Sequence, residues 1–194
     1  MKILSWINLI RWRQIDLILI LWPPAQSLFD DIRTDIIERH IELSYEILEM
    51  RADIFEDFIH KLYEIDFANP RKIATKLYRL QTPPHCLGVM KIRIIKPKMV
   101  VQDAINHVRC DTIGDLKDYI RRKYQGQISD YIYDIIIHST ETDYQNQKVL
   151  NILLSLASSL LLMKNKKLKR QKYLKNMFLK QLLRCLIELE EWVS

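Results

Sequence analysis

One histidine in this sequence stands at the end of an apolar run and is followed by polar side chains. His138 comes directly after the isoleucines at positions 135–137. Four hydroxyl or acidic residues then follow: Ser139, Thr140, Glu141 and Thr142. A histidine can act as a nucleophile when one ring nitrogen is neutral and the other is held still, and Glu141 is placed to orient such a ring. The pattern indicates a nucleophilic histidine, with a locally hydrogen-bonded strand-end histidine as the structural alternative.

Other chemical motifs are absent from the sequence. It contains neither a GxxxxGK[ST] loop nor a GxGxxG turn. Its acidic residues are scattered, so the sequence indicates no pair of carboxylates for acid–base catalysis. The three cysteines, Cys86, Cys110 and Cys185, lack metal-ligand spacing. An odd cysteine count without a secretory signal predicts a reducing compartment. We therefore expect a cytoplasmic protein with unreactive thiols and no metal site of its own.

The segments that would position His138 alternate between strand and helix patterns. Strands are predicted at Asp16–Leu21, Ile41–Leu48, Val89–Ile95 and Ile132–Ile137. Helices are predicted after a Ser27 cap, from Ala52, over Pro70–Arg79, over residues 99–108 and from Asp143, with a short charged helix or loop at 113–124. Since only three glycines are present, long helices are expected. The order suits an α+β fold: a ferredoxin-like, antiparallel four-stranded sheet with helices.

Both ends of the chain are predicted to add helices to this domain. We divide the sequence into an N-terminal helix (1–15), a central domain (16–155) and a basic, amphipathic helical extension (156–194). The apolar runs at 17–22 and 149–163 are shorter than the roughly 20 residues that a membrane span needs. No transmembrane segment is therefore expected.

Much of the positive charge lies in one segment. The net charge is +6, and Lys164–Lys175 carries basic residues without an acidic one. Such a segment is either a solvated basic face or a contact for an anionic partner. Its single aromatic residue, Tyr173, is too little for the base stacking that typifies single-stranded nucleic-acid binding.

The element order and the motif IIHSTET together resemble the nucleoside diphosphate kinases. In that family a strand ends in Ile-Ile-His and is followed by Gly-Ser-Asp-Ser and a helix, so His138 corresponds to the phosphorylated histidine. The stretch IRRKY is similar to the family's Ile-Arg-Gly-Asp-Phe and makes Arg121 a phosphate-binding arginine. Arg109 corresponds to an arginine of the third core helix, and Thr112 to a phosphate-binding threonine at a shifted position. The resemblance covers roughly residues 15–155.

This resemblance implies a nucleotide-dependent phosphotransferase that works through a phosphohistidine. It also implies ATP binding, Mg²⁺ carried by the nucleoside triphosphate, and a homo-oligomer. The sequence departs from the family at three positions: Trp22 replaces a phosphate-binding lysine, Ile135 an asparagine and Ser139 a glycine. Trp22 would either stack on the nucleotide base or close the core. The family's tyrosine near the second helix falls at Ile59 or His60.

A second function stays open on the sequence alone. The chain could be a non-catalytic ferredoxin-like interaction module that binds nucleic acid, an anionic surface or a protein partner. The direction of His138 distinguishes the two functions. A phosphotransferase needs the ring in a pocket shared with Arg109 and Arg121, whereas an interaction module would bury it among packed side chains.

Overall fold

The computed structural model describes residues 13–168, except residues 67, 81, 82, 84, 103–106 and 133. The chain divides into two compact units, Met1–Val149 and Leu150–Ser194. Most of the predicted N-terminal helix (1–15) and of the predicted helical extension (156–194) lies outside the described residues. Within the described part of the chain, no helix has the length and apolar character needed to cross a membrane.

The strands lie close to where the sequence predicts them. Their bounds are β1 Gln14–Leu21, β2 Ile41–Glu49, β3 Cys86–Ile95, β4 Met99–Gln102, β5 His107–Cys110 and β6 Ile137–Ser139. Four of them form one sheet in the order β2-β3-β1-β6, and every neighbouring pair is antiparallel. This order, with helices between the strands, is that of a ferredoxin-like α+β fold. The predicted fold class is confirmed.

One strand prediction and one helix prediction need correction. The last strand was expected at Ile132–Ile137, but β6 covers only Ile137–Ser139 and includes the histidine itself. The helix expected over residues 99–108 is wrong where the chain is described, because β4 and β5 pair there as antiparallel strands. The β-branched residues Val100, Val101 and Val108 explain this, since their stiff side chains favour strands over helices.

Along the sequence, helices separate the four strands of the sheet, and one more helix follows β6. They are α1 Phe29–Ile37, α2 Ala52–Ile65, α3 Pro70–Leu80, α4 Asp111–Tyr124 and α5 Asp143–Leu168, with 3₁₀ turns at Pro23–Leu28 and Gln125–Gln127. Those predicted from Ala52, over Pro70–Arg79 and from Asp143 are confirmed. Ser27 does not cap α1, because it lies inside the 3₁₀ turn and the cap position, Leu28, makes no side-chain hydrogen bond.

The central strand β1 is buried from Ile15 to Leu21. It pairs with β3 along its whole length and with β6 through Leu19–Leu21. A strand buried on both faces requires a continuous apolar run, which its sequence supplies except at Asp16. The Asp16 carboxylate accepts hydrogen bonds of 2.7 and 3.0 Å from Arg93 on β3, so its charge is compensated.

One edge of the four-stranded sheet is formed by β2, and the other is formed by β6. The alternating apolar residues of β2 were expected to give a half-buried strand. The strand forms, but Ile41, Leu43 and Ile47 are 51%, 38% and 51% exposed. An edge strand has a neighbour on only one side, so its side chains lose less surface than those of β1.

Helix α4 packs against the core through a stripe of apolar side chains, and a buried aspartate of α1 binds its C-terminal end. Ile113, Leu116, Ile120 and Tyr124 form the stripe. Asp35 of α1 accepts hydrogen bonds from Lys123 Nζ at 2.7 Å and from the Tyr124 hydroxyl at 2.8 Å. Lys117 and Arg121 follow the stripe one position later and stand four residues apart, so they lie on one face of this anchored helix.

Candidate functional site

His138 is the middle residue of β6 and is held there by backbone pairing. It pairs with Ile20 of β1. The two isoleucines before it are fully buried, and the Ile136 carbonyl accepts a 2.9 Å hydrogen bond from the Trp22 amide. The His138 side chain is 12% exposed. The apolar residues thus fix the strand, and the imidazole projects from a rigid backbone.

Two aromatic rings pack against the imidazole. The Tyr63 ring, from α2, meets it edge-on with centroids 5.7 Å apart. The Trp22 ring follows β1 and lies tilted at 6.3 Å. Trp22 and Tyr63 also stack on each other at 6.2 Å. Because Trp22 has no exposed surface, it closes the core beside His138.

The surroundings of His138 keep its ring neutral. Burial lowers the pKa of His138 well below its usual value, and the nearby positive charges of Lys76, Lys117 and Arg121 lower it further. A neutral imidazole at pH 7 has one nitrogen with a free lone pair. The ring is therefore in the form that a nucleophile requires.

Asp66, at the end of α2, is the carboxylate that lies next to this ring. Its Oδ2 is 3.7 Å from His138 Nε2, and its Oδ1 accepts a 2.9 Å hydrogen bond from Gln145 of α5. Burial raises the pKa of Asp66 to about 6, and the negative charge of Glu141 adds to the rise. Asp66 is thus the described carboxylate that lies closest to Nε2 of the ring.

Glu141 has a different contact from the one expected. Its carboxylate pairs with Lys117 of α4 in a half-buried ion pair. Its backbone amide donates to Gln145 Oε1 at 2.8 Å, and its carbonyl accepts from the Cys110 amide at 2.8 Å. In the described contacts Glu141 ties the turn after β6 to α4 and β5, and Asp66 has the carboxylate nearest to Nε2 of the ring. The role of Glu141 in orienting the imidazole stays a prediction.

Arg121 is placed beside the strand that carries the histidine. Its Nη2 donates to the Ile137 carbonyl at 3.2 Å, and Nη1 lies 3.5 Å from Asp134 and 3.7 Å from Asp118. Its Nε is buried, and the described residues offer it no hydrogen-bond acceptor. The guanidinium therefore borders β6 from a helix, which is one of the two alternatives expected for residues 113–124.

Lys76 of α3 completes the cationic group. It is 9% exposed, and its Nζ lies 5.0 Å from the Tyr63 ring centre and 5.8 Å from that of Trp22. Burial lowers the pKa of Lys76 to about 8, with the positive charge of Arg121 as the next cause. Three cations, from α3 and α4, therefore surround one neutral imidazole.

The turn after His138 is fixed by side chains that continue the sheet. Thr140 Oγ1 accepts a 2.9 Å hydrogen bond from the Ile18 amide and donates to Asn146 Oδ1 at 2.8 Å. Asn146 Nδ2 in turn donates to the Asp16 carbonyl at 2.6 Å. Thr140 and Asn146 thus satisfy backbone groups of β1 where β6 has ended, and they fix the direction in which the chain leaves His138.

Two residues expected at the site make their described contacts elsewhere. Arg109 lies on β5, not on a helix, and its half-exposed guanidinium is 3.7 Å from Asp111. Thr112 Oγ1 accepts a 2.8 Å hydrogen bond from the Lys98 amide. Their assignment as phosphate ligands stays a prediction. Ile135 is buried, as its apolar side chain requires.

Sequence reasoning missed Tyr63, Asp66, Lys76 and Lys117. The family tyrosine was sought at Ile59 or His60, whereas Tyr63, one helical turn further on, is the residue that touches the imidazole. Lys117 could have been found, since it stands one turn before Arg121. Asp66 and Lys76 have no local signal, because only the tertiary fold brings them to β6.

Comparisons with known proteins find distantly similar solved structures but no matching family or curated protein. Among solved structures, the nucleoside diphosphate kinase of Aquifex aeolicus is 11% identical with a TM-score of 0.48, over 72% of this chain and 94% of that one.

Two further solved structures are similar with lower TM-scores. The Borrelia burgdorferi nucleoside diphosphate kinase with bound vanadate and ADP, a transition-state mimic, is 13% identical with a TM-score of 0.43, over 72% and 86% of the two chains. The Pyrobaculum aerophilum enzyme is 13% identical with a TM-score of 0.40, over 72% and 94%. The fold described above rests on this chain's own strand pairing.

Proposed function

We propose that the unit Met1–Val149 is a nucleotide-dependent phosphotransferase that carries the phosphoryl group on His138. The observation that supports this most is the state of the ring: a neutral imidazole, fixed on a buried strand, with a carboxylate 3.7 Å from Nε2. Cationic side chains surround it. Two parts of the distinguishing criterion favour the interaction module instead: the ring packs against Trp22 and Tyr63, and Arg109 makes its described contact with Asp111.

In the proposed reaction Asp66 holds the proton on Nε2, and Nδ1 is the nucleophile. The Nδ1 lone pair forms a bond to the terminal phosphorus of a nucleoside triphosphate. The bond from that phosphorus to the bridging oxygen breaks, and the nucleoside diphosphate leaves with the electron pair. An ionised oxygen of the acceptor then attacks the phosphorus, and the electron pair of the N–P bond returns to Nδ1. The distance from Asp66 Oδ2 to Nε2 is longer than a hydrogen bond, as is common before a substrate is bound.

The cations would supply most of the rate acceleration. Phosphoryl transfer depends on positioning and on neutralising the charge of the phosphate oxygens more than on covalent assistance from the protein. Arg121 suits this role because a guanidinium binds two phosphate oxygens in a fixed geometry. Lys117 would contribute from the same face of α4, with Glu141 holding it in place.

Magnesium is expected to come with the nucleotide. Among the described residues, no three histidine, cysteine, aspartate or glutamate side chains are grouped closely enough to hold a metal ion. Mg²⁺ typically keeps several waters and binds through substrate phosphates. We assign it no protein ligand and no step.

The test is the formation of a phosphoenzyme. The full chain is incubated with γ-³²P-labelled ATP and Mg²⁺, and the label on the protein is tested for loss in acid and survival in base. Wild type should carry such a label and His138→Gln should carry none. His60→Gln, which changes an exposed histidine of α2, is the matched control and should label as wild type does. A wild type that acquires no label from any nucleoside triphosphate, or a labelled His138→Gln, would contradict the proposal.

A further observation favours the second candidate, a non-catalytic interaction module. The apolar residues Ile41, Leu43 and Ile47 on the edge strand β2 are exposed. Such an edge can pair with another strand and bury these residues. Absence of both the phosphoenzyme and nucleotide binding at millimolar concentration, together with loss of self-association in Leu43→Lys, would favour this module over the phosphotransferase.

A further inference from the structure

Lys76 differs from the other cations near His138 in its contacts. Lys117 pairs with Glu141, and Arg121 lies within 3.7 Å of Asp118 and within 3.5 Å of Asp134. The described residues give Lys76 Nζ neither a hydrogen-bond acceptor nor a carboxylate within ion-pair distance, although its residue is only 9% exposed. Among the described residues, its Nζ lies over the faces of two aromatic rings, Tyr63 and Trp22.

The rings under Lys76 carry donors that also lack partners. The Tyr63 hydroxyl and Trp22 Nε1 are buried, and neither has an acceptor in the described part of the chain. Buried polar groups are nearly always hydrogen-bonded, so each orphan needs an explanation. The Lys76 ammonium, which lies over the faces of these two rings, and the two donors at the ring edges thus have no oxygen acceptor among the described residues. An anion with several acceptor oxygens beside the ammonium would supply one.

The carboxylates nearest to Lys76 are engaged by other groups. Asp66 accepts from Gln145, and Asp134 accepts a 3.1 Å hydrogen bond from the Tyr131 hydroxyl and faces Arg121. Both raise the pKa of Lys76, but burial and the charge of Arg121 outweigh them. A buried ammonium costs several kcal/mol unless it is paired. Binding of an anion would pair the ammonium and remove this cost, so negative charge on a ligand would strengthen its binding.

We propose that Lys76 binds the terminal phosphate of the ligand, and that it determines whether a phosphate-bearing ligand binds beside His138 at all. The inference takes the location of the site from the proposed function, but it does not depend on phosphoryl transfer. Lys117 and Arg121 then act on a phosphate that Lys76 has already captured. The ligand class is an inorganic or nucleoside polyphosphate with an exposed terminal phosphate group.

The test measures binding without chemistry. Inorganic tripolyphosphate is titrated into the full chain at pH 7 by isothermal titration calorimetry, in wild type, Lys76→Met and Lys61→Met. Lys61 is an exposed lysine of α2 that pairs with Asp57, so its substitution controls for loss of net charge. Lys76→Met should bind about 30-fold more weakly or worse, because it removes one partner of a desolvated charge pair. Lys61→Met should bind within about threefold of wild type, because a surface ion pair contributes little.

The outcomes separate this inference from the proposed function. If wild type binds tripolyphosphate through Lys76 but never forms a phosphoenzyme, the phosphotransferase proposal is wrong and the Lys76 assignment is supported. A Lys76→Met variant that binds as tightly as wild type overturns the assignment, and so does a wild type that fails to bind tripolyphosphate at millimolar concentration. If Lys76→Met does not fold, Lys76→Gln, which keeps a polar tip without the charge, is measured against the same limits.

Discussion

Replacing Thr140 by valine tests whether side chains complete the sheet beside His138. Valine has nearly the shape of threonine, so the change removes the hydroxyl and little volume. Thr140 is 1% exposed, and its Oγ1 accepts from the Ile18 amide at 2.9 Å and donates to Asn146 Oδ1 at 2.8 Å. Both hydrogen bonds are lost in the variant.

The size of the effect follows from these two contacts. A neutral hydrogen bond contributes about 0.5–1.5 kcal/mol net, and more when a buried partner is left unpaired. The Ile18 amide keeps an acceptor in Asn146 Oδ1 at 3.1 Å, which limits the loss. We expect Thr140→Val to lower the free energy of unfolding by about 2 kcal/mol, or the Tm by about 4–8 °C in a chain of this size.

The assay is urea unfolding followed by far-ultraviolet circular dichroism, with a matched threonine as control. Thr75 of α3 is exposed and donates only to the Arg71 carbonyl of its own helix. Thr75→Val should therefore change stability by less than about 0.5 kcal/mol. Thr140→Ser, which keeps the hydroxyl, should recover most of the loss. Equal destabilisation by the two valine variants would refute the assignment of Thr140 as part of the sheet.

Two further substitutions probe charges around the site. Asp35→Asn should lower stability at pH 7 and flatten its acid dependence: burial raises the pKa of Asp35, but hydrogen bonds from Lys123 and Tyr124 lower it by more. The stability that Asp35 contributes is thus fully present above its unfolded pKa of about 4 and is lost as the pH falls through the folded value. Urea midpoints from pH 3 to 7 measure this, and a profile as steep as that of wild type would contradict it. Asp66→Asn should slow phosphoenzyme formation by about 10²-fold in rapid-quench experiments, since no carboxylate would then hold His138 Nε2–H; an unchanged rate would remove Asp66 from the mechanism.

The fold could be predicted from the sequence where burial imposes a pattern. The apolar run of β1 reflects the burial of both its faces. The alternation in β2 reflects its edge position, and the alternation in β3 reflects its one packed face. These strands were therefore located to within a few residues. The hairpin at 99–110 was missed because apolar spacing was given more weight than the β-branched residues that occupy it. Patterns of burial identify strands, but they do not by themselves distinguish a short helix from a hairpin.

The site was predictable only where its residues are neighbours in sequence. His138 could be singled out because the isoleucines that bury β6 directly precede it. The contact of Glu141 with α4 could not be foreseen, because residues that follow a strand in close succession point in different directions. Asp66 and Lys76 come from α2 and α3, and nothing in their local sequence distinguishes them from solvent-facing charges.

The long sequence separation within the sheet determines when this protein can fold. Ile18 and Thr140, joined by a hydrogen bond, stand 122 positions apart, and Asp16 and Arg93 stand 77 apart. Closing such long loops has an entropic cost that must be met before the contacts exist, so a sheet of this kind folds slowly compared with helical proteins. Among the described strands, β1 is synthesised first and β6 last. Until β6 is made, the apolar strand β1 has one unpaired edge, a feature that favours aggregation of incomplete sheets. The strand that carries His138 is therefore also the one whose arrival completes the sheet.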